Sequence, residues 1–270
     1  MKNRRCAVRI LLPGALMLMF LCGAAGCSRE KTPAKSVRLA VSPDYPPYVY
    51  RHQGKLTGID VELCEMIAEE AGRELRIVNG KFSELVGMVG KGEADMAACA
   101  LAVTAERRRV VAFSDPYEFA GQTFLVRSGE NIRYLTDMRE KPGFRISAET
   151  GSTGYTLIAR FLEERDSSIR LTGCASNRKA VEALLDKQTD AVILDPLVAR
   201  CLRMEQPEKL DILRDLLNHE EFAVAVSRRD PQLLAAANRV IHRLWKSGEL
   251  YELQRKHMRQ SRSEGGNDVP

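Results

Sequence analysis

Much that would point to metal chemistry, nucleic acid or a membrane channel is missing from this 270-residue sequence. No Cys-x-x-Cys pair occurs, and the four histidines, His52, His219, His242 and His257, are scattered without metal-ligand spacing. No apolar run approaches the roughly 20 residues that a membrane-spanning helix needs. The longest, over residues 10–21, stops at about a dozen. The charge excess is also small where it matters. The formal charge is +5, but Lys2, Arg4, Arg5 and Arg9 fall within the first 26 residues, which contain no acid; removing them leaves 41 − 4 = 37 basic against 36 acidic side chains, or +1. A nearly neutral chain offers no electrostatic footprint for nucleic acid or another polyanion.

What is present begins with an export signal: basic residues, the short apolar core, then Ala24-Ala25-Gly26-Cys27. The small residues before Cys27 resemble a lipobox, whose cysteine is acylated and becomes the mature N-terminus, although Ala24 stands where leucine is usual. Ordinary cleavage nearby is the alternative. Residues 1–26 are therefore expected to be a signal peptide and residues 27–36 a lipid-anchored tether on the outer side of a membrane. The remaining chain of about 240 residues is long enough for one large or two modest cores. Cys64, Cys99, Cys174 and Cys201 suit either disulfides or buried thiols.

Strand and helix patterns alternate through this chain. A strand over 37–41 precedes the proline-fixed aromatic loop Ser42-Pro43-Asp44-Tyr45-Pro46-Pro47-Tyr48. Val61, Cys64, Ile67, Ala68 and Ala71 form the apolar face of a helix that Gly72 ends. A strand over 75–78, a helix over 82–89 and an alanine-rich strand over 96–103 follow. The same alternation resumes with a strand over 144–148, a helix after Thr153, another over 179–185 and a strand over 191–194. Such β/α alternation predicts largely parallel sheets whose ligands collect at the C-terminal strand ends.

Several of those strand ends carry polar residues. Thr104 is a good helix N-cap, and Arg107 in the next turn offers a fork that grips a carboxylate through two hydrogen bonds. Arg108 and Arg109 read as a solvated face. Gly151-Ser152-Thr153-Gly154 is a second turn of glycines and hydroxyls at a helix start. Asp195 ends an apolar strand before Pro196, either capping a helix or facing a ligand.

Thr104-x-x-Arg107 followed by Phe113-Ser114-Asp115-Pro116-Tyr117 resembles the core signature of family 3 extracellular solute-binding proteins, the polar amino-acid receptors of bacterial ABC importers. The resemblance spans about residues 37–258. It implies an α/β, two-lobed periplasmic-binding-protein fold, a Venus flytrap in which each lobe is a largely parallel sheet flanked by helices and two hinge crossings join the lobes. Lobe I would comprise residues 37–120 and 224–258, lobe II residues 121–223, with 259–270 a disordered tail.

The resemblance also implies roles. Arg107 and the Thr104 helix start hold a ligand carboxylate with Ser152 and Thr153, Asp195 holds its ammonium, and Tyr45 packs on its side chain. Ser42, Cys99, Ala100 and Ala102 would complete the wall. Ser42 stands where some receptors for cationic amino acids carry Asp, and Ala102 where the family commonly places a hydroxyl. Glu149 replaces an apolar or amide residue, so its carboxylate either enters the cleft or points to solvent. The implied protein is a monomeric, non-enzymatic receptor without cofactor or metal, delivering a small-molecule ligand to an ABC permease. Two alternatives on this framework are a cyclohexadienyl dehydratase acting on prephenate or arogenate, with Glu149 as its acid, and a protein that presents ligand to a signalling partner.

Overall fold

The computed structural model describes residues 36–139, 141–164 and 169–261. The expected signal, residues 27–35 of the expected tether with Cys27, and residues 262–270 of the expected tail lie outside them, while Ser36, expected to end the tether, opens the first strand. The first part of the chain runs β1 (Ser36–Val41), a hairpin of β2 (Tyr50–His52) and β3 (Lys55–Thr57), α1 (Ile59–Glu70) and β4 (Glu74–Asn79). A 3-10 turn over Phe82–Glu84 then leads into α2 (Leu85–Lys91), β5 (Met96–Ala97), α3 (Ala105–Val110) and β6 (Ala112–Phe113). After β7 (Glu118–Ala120) come β8 (Thr123–Arg127), α4 (Leu135–Arg139), β9 (Arg145–Glu149), α5 (Thr153–Glu164) and β10 (Arg170–Cys174). The chain continues through α6 (Asn177–Leu185), β11 (Ala191–Leu194), α7 (Pro196–Glu205) and β12 (Leu210–Ile212). It closes with β13 (Glu220–Phe222), β14 (Ala225–Val226), α8 (Pro231–Ser247) and α9 (Glu249–Gln260).

Two five-stranded sheets organise these elements, in the orders β4-β1-β5-β14-β6 and β10-β9-β11-β8-β12. In each, four strands share one direction and a single strand next to one edge, β14 or β8, runs against them, so the sheets are mixed but largely parallel. The reason is topological. Local β/α units can set only parallel neighbours side by side, whereas β8 and β14 follow crossings between the sheets and arrive in the opposite sense. The crossings themselves, β7 and β13, pair with each other antiparallel.

Both sheets reuse one local device. Asp95, just before β5, accepts the Arg38 main-chain N–H at 2.8 Å and pairs with that guanidinium at 2.9 Å. Asp190, just before β11, does the same for Arg145 at 2.9 and 2.8 Å. Each acid thereby fixes the register of a central parallel pair, whose C-terminal ends open toward the cleft. Leu39, Ile67 and Met96 lie in the core of the first sheet, and Phe124, Ile146 and Ile193 in that of the second.

Two expectations change. The alanine-rich strand stops at Ala97 instead of reaching residue 103. Beyond it the backbone turns, with Ala100 at φ +46° and its N–H donated to the buried carboxylate of Asp60 at 2.6 Å. A side-chain acceptor thus takes the donor that a strand would have given to a ladder. The C-terminal helix also continues through residues 259 and 260 of the expected tail, and Ser261 is buried. It is held from within, where buried His257 meets the Tyr50 hydroxyl at 2.9 Å through Nδ1 and Met258 touches Cys201. The four cysteines among the described residues are free thiols.

Candidate functional site

The segments that follow β1, β5, β9 and β11 meet in one cleft. The β5 segment leads through Ala102 to Thr104, whose hydroxyl accepts the Arg107 N–H at 3.2 Å and starts α3. The Arg107 side chain turns back into the cleft while Arg108 and Arg109 stay exposed. Its Nη1 donates to the Ala102 carbonyl at 2.7 Å and its Nη2 to the Gly151 carbonyl, across the cleft, at 3.1 Å. The guanidinium also lies 5.4 Å from the centre of the Phe82 ring. Burial lowers its pKa from the usual arginine value, because the charged form has lost water.

The facing wall begins with Glu149 at the end of β9. Gly151 follows at φ +84°, and a Cβ there would come within 2.8 Å of the Ser83 Cβ. Glycine is needed for the close approach of the two walls as well as for the turn. Ser152 Oγ accepts the Tyr155 N–H at 3.0 Å, capping α5. Thr153 Oγ1 accepts from the Gln122 amide at 3.3 Å, and that amide also donates to Glu220 at 3.1 Å.

Asp195 performs both tasks open to it. Its Oδ1 accepts the N–H groups of Leu197 and Val198 at 3.0 Å each, which caps α7, and its Oδ2 accepts the Tyr45 hydroxyl from the opposite wall. Burial raises its pKa to about 6, against the pull of these three donors. Glu149 sits one strand away with fewer partners: Oε2 accepts the Asn177 amide at 2.6 Å. Burial raises its pKa to about 8.

Tyr45, Ala100, Ala102, Arg107, Glu149, Ser152 and Thr153 line a cavity of about 20 Å³, room for about one water molecule. An open groove of about 1260 Å³ adjoins it and is reached by Thr104 and Asp195. Ser42 and Cys99 line neither space, and the Cys99 thiol donates to the Ser42 carbonyl at 3.4 Å. Gln122, Asn177, Ile193, Leu194, Glu220 and Phe222 also line the cavity, beyond the residues that the sequence points to. Gln122 and Glu220 adjoin the crossings, and Asn177 starts α6; none carries a sequence signal that marks it as facing a ligand. Among the described residues no group of three potential ligands could hold a metal, and no helix is long and apolar enough to cross a membrane.

This arrangement, two walls meeting over one arginine, accompanies a sequence match over residues 37–260 to bacterial extracellular solute-binding proteins, family 3. The chain belongs to that family. Among its relatives, the probable histidine-binding protein of Campylobacter jejuni is 27% identical over 205 residues, 74% of this chain and 76% of that one. The crystal structure of AbpA from Streptococcus pneumoniae, an amino acid ABC transporter substrate-binding protein bound to L-arginine, superposes with a TM-score of 0.77 at 28% identity, covering 84% of this chain and 95% of that one. The family also reaches an enzyme: cyclohexadienyl dehydratase of Pseudomonas aeruginosa is 26% identical over 174 residues, 64% of this chain and 63% of that one. The two-lobed α/β fold is that of the family's solved members.

In family terms, the cleft walls are already tied to each other. Tyr45 is bonded to Asp195 and Arg107 to Gly151. A cavity sized for one water admits a larger solute only if these contacts give way and the solute takes over their donors and acceptors.

Proposed function

We propose that this chain is the extracytoplasmic receptor of an ABC importer and captures a polar α-amino acid between its two walls. The observation that carries this reading is the placement of Arg107, a desolvated guanidinium bonded to a carbonyl of each wall, on the same groove as Asp195. The ligand carboxylate would replace those carbonyls and form two charge-assisted bonds. The start of α5, with Ser152 and Thr153, would complete its cradle. Asp195 would receive the α-ammonium by exchanging the Tyr45 hydroxyl for it, and the rings of Tyr45 and Phe82 would flank the side chain. Because both walls supply partners, ligand binding favours closure, the state a permease reads.

The division into lobes at 120/121 and 223/224, the monomeric state, the permease partner and acylation of Cys27 at a membrane surface belong to the same proposal. So does the absence of enzymatic turnover. The test is thermal unfolding of the mature chain with the amino acids, their deaminated analogues, prephenate and arogenate. A ligand at a hundred times its dissociation constant stabilises by about 2.7 kcal/mol. Stabilisation by one or a few amino acids is expected. Silence to all of them would overturn the receptor, and a response confined to prephenate or arogenate, with product formed, would make the chain a dehydratase.

A further inference from the structure

Glu149 is the part of the cleft that the amino-acid reading leaves unused. It closes β9, is 4% exposed and lines the cavity. A zwitterion would use Arg107 for its carboxylate and Asp195 for its ammonium, and those two charges balance. Glu220 is occupied on both oxygens by amides, from Gln122 at 3.1 Å and Asn218 at 2.9 Å. The Glu149 carboxylate has the Asn177 amide as its one hydrogen-bond donor among the described residues. A buried carboxylate without a cation is unfavourable unless it keeps its proton or gains a positive partner.

We infer that Glu149 is a specificity-determining residue of this cleft, selecting α-amino acids whose side chain ends in a cation. The inference rests on the proposed amino-acid reading. The groups facing Glu149 are Asn177 on α6, Cys174 on β10, Cys99 beyond β5 and Tyr45 on the loop after β1. None is cationic. Burial lifts the two thiols and the phenol further from ionisation, so the carboxyl holds its proton near neutral pH with nothing to draw it off. An ammonium or guanidinium on the ligand would supply the missing charge, and the proton would leave to solvent as the ligand enters. The position differs from that of Ser42, which lines neither the cavity nor the groove. The cation would instead be read from the strand-end beside Asp195.

Isothermal titration calorimetry of the mature chain at pH 7, in two buffers of different ionisation enthalpy, tests this with arginine against citrulline and lysine against norleucine. Each pair shares a skeleton and differs in side-chain charge. At least one cationic member is expected to bind roughly tenfold or more tightly than its neutral partner, releasing close to one proton. Glu149→Gln is expected to reduce both that ratio and the proton release. A neutral member binding as tightly as the cation, a ratio that survives Glu149→Gln, or cation binding without proton release would each overturn the inference. Equal losses for charged and neutral ligands in Glu149→Gln would mean that Glu149 serves the shared α-amino-acid head instead, and would also overturn it. Binding of neutral amino acids alone would leave the receptor standing and sink only this inference, whereas silence to every amino acid would sink both.

Discussion

Asp195 and Glu149 stand at the ends of neighbouring parallel strands and are hidden almost equally, 1% and 4% exposed, yet their carboxyls ionise about two units apart, near 6 and near 8. The difference lies in what each is offered. Asp195 receives two main-chain N–H groups and a phenol hydroxyl, all of which favour its ionised form, whereas Glu149 receives one amide. Burial raises both, the nearby Glu220 charge adds to the rise at Asp195, and the donors pull Asp195 back down. The same cleft thus holds an acid prepared as an anion and an acid that keeps its proton until something positive arrives.

The largest way to test this comparison is to remove the cation that lines the cavity with Glu149. Arg107→Ala should weaken amino-acid binding by roughly 3 kcal/mol or more, the worth of two charge-assisted hydrogen bonds. Calorimetric titration would show it, and binding within threefold of wild type would remove Arg107 from the clamp. The pH dependence of stability attributed to Glu149 should persist in this variant, because burial rather than Arg107 sets its pKa.

Glu149→Gln addresses that pH dependence directly. Unfolded, the carboxyl releases its proton near pH 4.5; folded, it does so near 8. Between those values the folded chain binds more protons than the unfolded one, so stability falls as pH rises. The substitution removes this group's share of the fall. Its gain over wild type should be negligible at pH 4 and on the order of 3 kcal/mol at pH 7, read from urea unfolding at a series of pH values. Asp60 and Glu118, also raised by burial to about 7 and about 8, leave a residual slope in the variant. A gain that does not vary with pH would place Glu149 outside the buried set.

Asp195→Asn sharpens the other half of the comparison. It should cost amino acids about 1.5–3 kcal/mol of binding while costing their deaminated analogues less. Equal losses for both ligand sets would show that Asp195 serves only to cap α7. The smallest effect is expected from Ala102→Ser, which adds a hydroxyl beside the carbonyl that Arg107 now holds. A gain of about 1 kcal/mol in affinity would mark a missing donor; no gain would mean that the clamp is complete with alanine.

The sequence by itself determined the alternation that builds two β/α sheets, and it placed Arg107, Ser152, Thr153 and Asp195 at strand ends and helix starts. Those are local facts, carried by hydrophobic period, glycine turns and capping residues. Tertiary structure decided the rest. It stopped the alanine-rich strand at Ala97, since the Asp60 carboxylate that takes the Ala100 N–H comes from a distant helix. It decided that Glu149 faces inward. Residues 146–149 are all buried because helices cover both faces of the sheet, so the alternation that would have told inside from outside is absent. It also brought in Gln122, Asn177 and Glu220, whose role as cavity lining depends on side-chain directions across separate segments and on no spacing along the chain. A charge balance at a closed site is a sum over groups that meet only after folding, and local sequence patterns do not contain that sum.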